Sequence, residues 1–194
     1  MKGLLGAASL GVLLITAPAW AQSVPSRSLS SQDRTFVDQA AAGNLAEARL
    51  GELAEQKGAT PAVKEFGRWM ATDHTFANDW LLGLAKEIPQ IPHPTLTAQD
   101  KTLYQTLEGL SGAEFDRQYL ARMVSDHEKT VGVFETEATS GQNPIIKGYA
   151  QSLLPVIKQH LAEARELSST RGGLARNMDG PQTEGSGSSM PPQH

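Results

Sequence analysis

Four ionisable residues interrupt otherwise apolar helical stripes in this sequence: Glu47, His74, His127 and His160. Imidazole nitrogen and carboxylate oxygen are donors that zinc, copper, iron and manganese all accept, with geometry choosing among them. Three imidazoles and one carboxylate meeting in a helical core predict a site for one divalent metal ion. Met70 and Met123 stand one turn before His74 and His127. A thioether beside imidazole tilts such a site toward copper, although methionine at helical spacing also fills a core. Asp73 and Asp126 directly precede two of the histidines. Adjacent residues do not share a helix face, so both are expected to cap, to pair at the flank or to hold a histidine by a hydrogen bond. Glu163, three residues after His160, is a further flanking candidate. The same quartet has an alternative reading, a buried hydrogen-bond network that fixes helix register and binds nothing.

The elements that must position these residues are helices. Phe36, Ala40, Gly43, Glu47, Leu50 and Ala54 advance by steps of four and three, one face of a helix over residues 31–57. Gly58 ends it, and Thr60-Pro61 starts the next, whose stripe runs Val63, Phe66, Met70, His74, Ala77, Leu81, Leu84 and Ile88. Pro89, Pro92 and Pro94 forbid a helix between Ile88 and Thr97. Thr97 and Asp100 then stand at capping-box spacing before a shorter helix, and Ser111 and Glu114 form a second such box. The third long stripe is Phe115, Leu120, Met123, His127, Val131, Phe134 and Ala138. Asn143-Pro144 opens the fourth, with Ile146, Tyr149, Leu153, Val156, His160, Ala164 and Leu167 inward and Pro155 inside it.

Two short turns thus make two helical hairpins, and one long connection joins them. The predicted fold is all-α: a ferritin-like four-helix bundle with a long crossover carrying a short extra helix. An internal echo supports two related hairpins: Met70-Ala71-Thr72-Asp73-His74 parallels Met123-Val124-Ser125-Asp126-His127. The crossover makes those two helices run in the same direction, which allows the Met-x-x-Asp-His faces to lie at one level. Counting from the turns leaves a mismatch of roughly 5–6 Å, about one helical turn, between the polar residues of each hairpin.

Both ends read differently from the middle. Lys2, the apolar run from Leu4 to Ala17 and Ala19-Trp20-Ala21 match a secretory signal peptide over residues 1–21. The run is too short to span a bilayer, so no transmembrane anchor is expected after cleavage. The expected location is the periplasm or the medium, and without a twin arginine the chain crosses unfolded and acquires any metal there. Residues 22–30 are expected to be a mobile leader, residues 31–170 the bundle, and residues 171–194, rich in Gly, Ser and Pro, a disordered tail.

Composition removes whole classes of chemistry. The 194 residues contain no cysteine, which excludes disulfides, thiolate zinc, iron–sulfur clusters and a cysteine nucleophile. A net charge of -4 gives no electrostatic reason to expect nucleic acid. Neither a phosphate-binding glycine loop, nor a Gly-x-Ser-x-Gly elbow, nor a His-Glu-x-x-His motif occurs. The expected partners are a metal ion or a protein of the cell envelope. A metal-dependent enzyme is a third reading, which needs an open coordination position and a cleft that reaches it.

Longer stretches resemble one family. They are Phe36-Val37-x-x-Ala40-Ala41-x-Gly43-Asn44-x-x-Glu47, Val63-Lys64-x-Phe66-Gly67-x-x-Met70-x-x-Asp73-His74, Phe115-Asp116-x-x-Tyr119-x-x-x-Met123-Val124-x-Asp126-His127 and Leu154-Pro155-x-x-x-x-His160-Leu161. Together they resemble the exported, ferritin-like bacterial domain of unknown function 4142, often labelled an outer-membrane protein. The resemblance implies a four-helix ferritin-like fold and export, and it implies no activity. Di-iron bundles of this architecture carry Glu-x-x-His motifs. Ala71, Val124 and Ile157 stand where those glutamates would be, so a di-iron centre is not expected.

Overall fold

The structure is a computed structural model that describes residues 28–178, with side chains described to residue 170. It has five helices: α1 (Ser31–Lys57), α2 (Pro61–Leu84), α3 (Ala98–Glu108), α4 (Gly112–Ser140) and α5 (Pro144–Met178). α1 packs along α2 and α4 along α5, as two hairpins, and α3 lies in the crossover. No strand occurs among the described residues.

The helix starts follow local chemistry. Ser30 accepts from the Asp33 amide at 3.1 Å while Asp33 accepts from the Ser30 amide at 2.8 Å, a complete capping box. Thr97 and Asp100 make the same box for α3. Thr60 caps α2 with Pro61 behind it, and Asn143 Oδ1 accepts from the Ile145 and Ile146 amides to open α5. Ser111 makes no side-chain cap, contrary to expectation. Gly112 enters α4 at φ 62, and Glu114 turns to Arg117 and Gln118 instead.

Two buried aspartates lock the hairpins to each other. Asp33 at the head of α1 also accepts from the Gln142 and Asn143 amides in the α4–α5 turn, at 2.9 and 3.2 Å. Asp116 in α4 accepts from the Ala59 amide in the α1–α2 turn at 2.8 Å and from the Thr60 hydroxyl at 3.4 Å. Each turn is thus held by a carboxylate of the other hairpin. Gly51 and Gly67 bring α1 and α2 into backbone contact: a Cβ on Gly51 would stand 2.6 Å from the Gly67 carbonyl, and one on Gly67 2.6 Å from the Glu55 amide.

The apolar core divides in two. One half holds Phe36, Leu81, Phe134 and Tyr149; the other holds Leu50, Phe66, Met70, Tyr119 and Met123. α2 and α4 both run from the second half to the first, so they are parallel, as a long crossover requires. Between the halves lies a polar layer of Asn44, Glu47, His74, His127 and His160.

Some boundaries differ from the expectation. α2 stops at Leu84, before Ile88, although Ile88 is buried. Gly43 faces solvent instead of the core. Leu29 is buried and Ser30 caps α1, so the end of the expected leader belongs to the fold. α5 runs to Met178, into the expected tail, because no proline interrupts the chain between Pro155 and Pro181 and each further residue adds a backbone hydrogen bond. The expected signal peptide, and the rest of the leader and tail, lie outside the described residues. Among the described residues no helix is long and apolar enough to cross a membrane.

Candidate metal centre

Three helices each deliver one buried imidazole to the polar layer: His74 from α2, His127 from α4 and His160 from α5. Their ring centroids form a nearly equilateral triangle, with sides of 5.6 Å (His74–His127), 5.3 Å (His74–His160) and 5.5 Å (His127–His160). One nitrogen of each ring lies within 4.8 Å of the other two. An equilateral triangle with that edge puts its centre about 2.8 Å from each corner, so small side-chain rotations reach the bond lengths near ~2 Å that zinc makes with imidazole.

The hydrogen bonds decide which nitrogen of each ring is left without a partner. The Tyr149 hydroxyl donates to the Ala77 carbonyl at 3.0 Å and accepts from Asn44 Nδ2 at 2.9 Å. That orients Asn44 Oδ1 toward His74 Nδ1, 3.1 Å away, which must carry the proton. His127 Nδ1 donates to the Met123 carbonyl at 3.0 Å, and His160 Nε2 donates to Asp73 Oδ2 at 3.0 Å. The remaining nitrogens are His74 Nε2, His127 Nε2 and His160 Nδ1. All are buried and have no hydrogen-bond partner. Each carries a lone pair when the ring is neutral. A buried polar atom left unpaired costs about 1–3 kcal/mol, and here each of three neighbouring rings carries one.

The electrostatics favour neutral rings. Burial, followed by the neighbouring His127 and His160, pushes His74 well below the usual histidine value. Burial and His160 bring His127 down to about 4. Burial also lowers His160, against the opposing pull of Asp73. Neutral imidazoles with one N–H anchored and one lone pair directed at a common point are the form that metal coordination requires.

Glu47, grouped with the three histidines as a candidate ligand from the sequence, is outside their 4.8 Å cluster. It lies beside the cluster, lining the same cavity as His74 and His127, with its carboxyl toward Asp126. Burial, reinforced by Asp126, pushes it up to about 8, and its Oε2 has no partner. Of the flanking candidates, Asp73 holds His160, while Asp126 pairs with Arg122 and Lys129. Met70 and Met123 are fully buried in the apolar half below the histidines. Glu163 is half-buried and outside the cluster. Sequence reasoning missed Asn44, Asp100 and Arg122. Asn44 carried a signal, a polar residue three before Glu47 within the helix; Asp100 enters because the crossover helix packs against α1 and α4, and Arg122 comes from α4 one turn before Asp126.

A cavity of about 290 Å3 between α1 and α4 reaches His74 and His127 and is also lined by Glu47, Asp100, Arg122 and Asp126. On the opposite side, a space of about 10 Å3 touches Asn44, Asp73, His74 and His160. That volume is at or below what one water needs.

Residues 19–167 match the family model described as a domain of unknown function, DUF4142. The chain belongs to this family. No curated protein matches it. Solved structures similar to this DUF4142 chain include a DUF305 fragment from Deinococcus radiodurans, with a TM-score of 0.57 and 13% identity over 77% of this chain and 98% of that one. CopM in the Cu(I)-bound form is similar too, with a TM-score of 0.53 and 15% identity over 76% of this chain and 98% of that one. At such identities the likeness is one of fold, a ferritin-like helical domain.

Proposed function

We propose that this DUF4142 protein binds one transition-metal ion through His74, His127 and His160 and serves metal handling in the cell envelope. The observation that carries the reading is the convergence of three buried imidazoles, each with one ring nitrogen anchored by a hydrogen bond and the other without a partner. A donor set of three imidazoles suits zinc and copper. Copper draws support from the similarity to CopM, solved with Cu(I) bound. Export draws support from the signal-like residues 1–21.

Loading the mature chain with Zn(II), and separately with Cu(I) under reducing conditions, tests the reading by metal content after desalting. About one ion per chain is expected, lost when His74→Ala and His127→Ala are combined. A wild-type chain that holds no metal, with a melting temperature unmoved by either ion, sinks the proposal and leaves the triangle as a register-fixing network. Precursor processing after Ala21, read by mass, tests export.

A metal-dependent enzyme is the second reading. The cavity of about 290 Å3 at His74 and His127 favours it by giving a substrate room beside the site. Hydrolytic or redox turnover by the metal-loaded protein, absent from the metal-free form, would support it.

A further inference from the structure

We propose that the cavity between α1 and α4 is the path by which an ion reaches the three histidines, with Glu47 the buried oxygen donor beside them. The inference rests on the metal-binding reading and specifies how the site is loaded.

The histidines are buried, with 6%, 1% and 1% exposure for His74, His127 and His160, so an ion must pass a gap in the bundle wall. The α2–α5 side offers only about 10 Å3. The α1–α4 side offers about 290 Å3, with His74 and His127 in its lining. The charged groups along that cavity are Asp100, Arg122, Asp126 and Lys129, two of each sign. Glu47 sits deeper, 8% exposed, with one carboxyl oxygen unpartnered. Its unpartnered Oε2, in the cavity that His74 and His127 also line, can replace part of an ion's hydration shell before the nitrogens take it. Gly43 lines the same cavity and is exposed, and a Cβ there would meet nothing within 4 Å. The missing side chain leaves the wall open.

Gly43 also supplies the test. Its backbone is helical without a positive φ, so leucine fits the helix and places a bulky group over the cavity. Gly83 on α2 has equal open space and does not line the cavity, so Gly83→Leu is the control. Zn(II) uptake by the full mature chain, and its removal by a chromophoric chelator, are followed by stopped flow. Gly43→Leu is expected to slow both directions on the order of tenfold with an unchanged zinc end point, because the path narrows and the ligands stay. Glu47→Gln is expected to slow loading with the same end point, and Gly83→Leu to match wild type. A Gly43→Leu protein that loads as fast as wild type overturns the path. A Glu47→Gln protein with lower occupancy at equilibrium overturns the relay role and makes Glu47 a ligand. Failure of the wild type to take up any ion is read first, at the end point, and counts against the metal site itself.

Discussion

His160 Nε2 donates to Asp73 Oδ2 across the α2–α5 interface at 3.0 Å, and Asp73 is the residue immediately before His74. One turn of α2 therefore supplies a ring of the triangle and the acceptor that fixes another ring. The two side chains leave the helix in different directions, so a neighbour of His74 in sequence serves His160 in space.

Asp73→Ala should lower metal affinity about 10–100-fold without unfolding the bundle, since partners that orient a ligating histidine carry effects of that size. Competition against a chelator of known affinity measures it. Equal affinity in mutant and wild type would mean that packing against Trp69, whose ring centroid lies 4.7 Å from that of His160, suffices to hold the imidazole.

Asn44 links His74 to Tyr149, so its loss strands two buried groups. Asn44→Leu should destabilise the metal-free protein by about 2–6 kcal/mol, at about 1–3 kcal/mol for each stranded donor or acceptor. Denaturant melts check this. Tyr149→Phe should cost less, because His74 keeps its acceptor and Asn44 loses only one contact.

Gly51→Ala should be far more damaging than Gly43→Ala. The new Cβ at Gly51 would stand 2.6 Å from backbone atoms of Ala71 and Gly67, and helices have no flexible side chain there to give way. Forced separation of α1 from α2 is expected to cost several kcal/mol, at or above the ~1–3 kcal/mol of ordinary overpacking. Gly43→Ala meets nothing and should gain up to about 1 kcal/mol from helix propensity. Equal melting temperatures for the two variants would refute the close crossing.

The Asp33–Glu137 pair predicts a pH dependence remote from the histidines. Burial, with Asp33 adding to it, pushes Glu137 up from 4.5 to about 7. Burial also raises Asp33, but hydrogen bonds from Ser30 and Asn143 outweigh it and hold the group at about 2. Between 4.5 and about 7 the folded protein keeps a proton on Glu137 that the unfolded chain has released, so stability from this group falls as pH rises. Asp33 works in the opposite sense, stabilising above 3.8 and losing that contribution as pH falls toward about 2. Glu137→Gln should therefore gain stability over wild type from about pH 5 to about pH 8. Denaturant melts at the two pH values decide it, and a constant difference between the proteins would refute the assignment.

Much of the fold was legible because its signals are local. Ser30 with Asp33 and Thr97 with Asp100 act within one turn, and the apolar stripes repeat within a few residues. Ser111 with Glu114 has the same spacing and fails, because Gly112 takes a left-handed entry that spacing does not reveal. Gly51 and Gly67 look like isolated helix-weakening residues in sequence. They make sense only as a facing pair.

The sequence by itself determined that the four polar residues lie on inward helix faces, because a helical period of 3.6 residues assigns faces without reference to any other element. Tertiary structure decided the level at which each helix presents its residue, and which ring nitrogen turns inward. Levels depend on how the hairpins slide against one another, which Asp33 and Asp116 set through bonds to turns 56 to 110 positions away in the chain. Ring orientation depends on acceptors contributed by Asn44 from α1, Asp73 from α2 and the Met123 carbonyl from α4. Those same choices gather three histidines at one point and leave Glu47 beside them, facing Asp126 in the cavity wall.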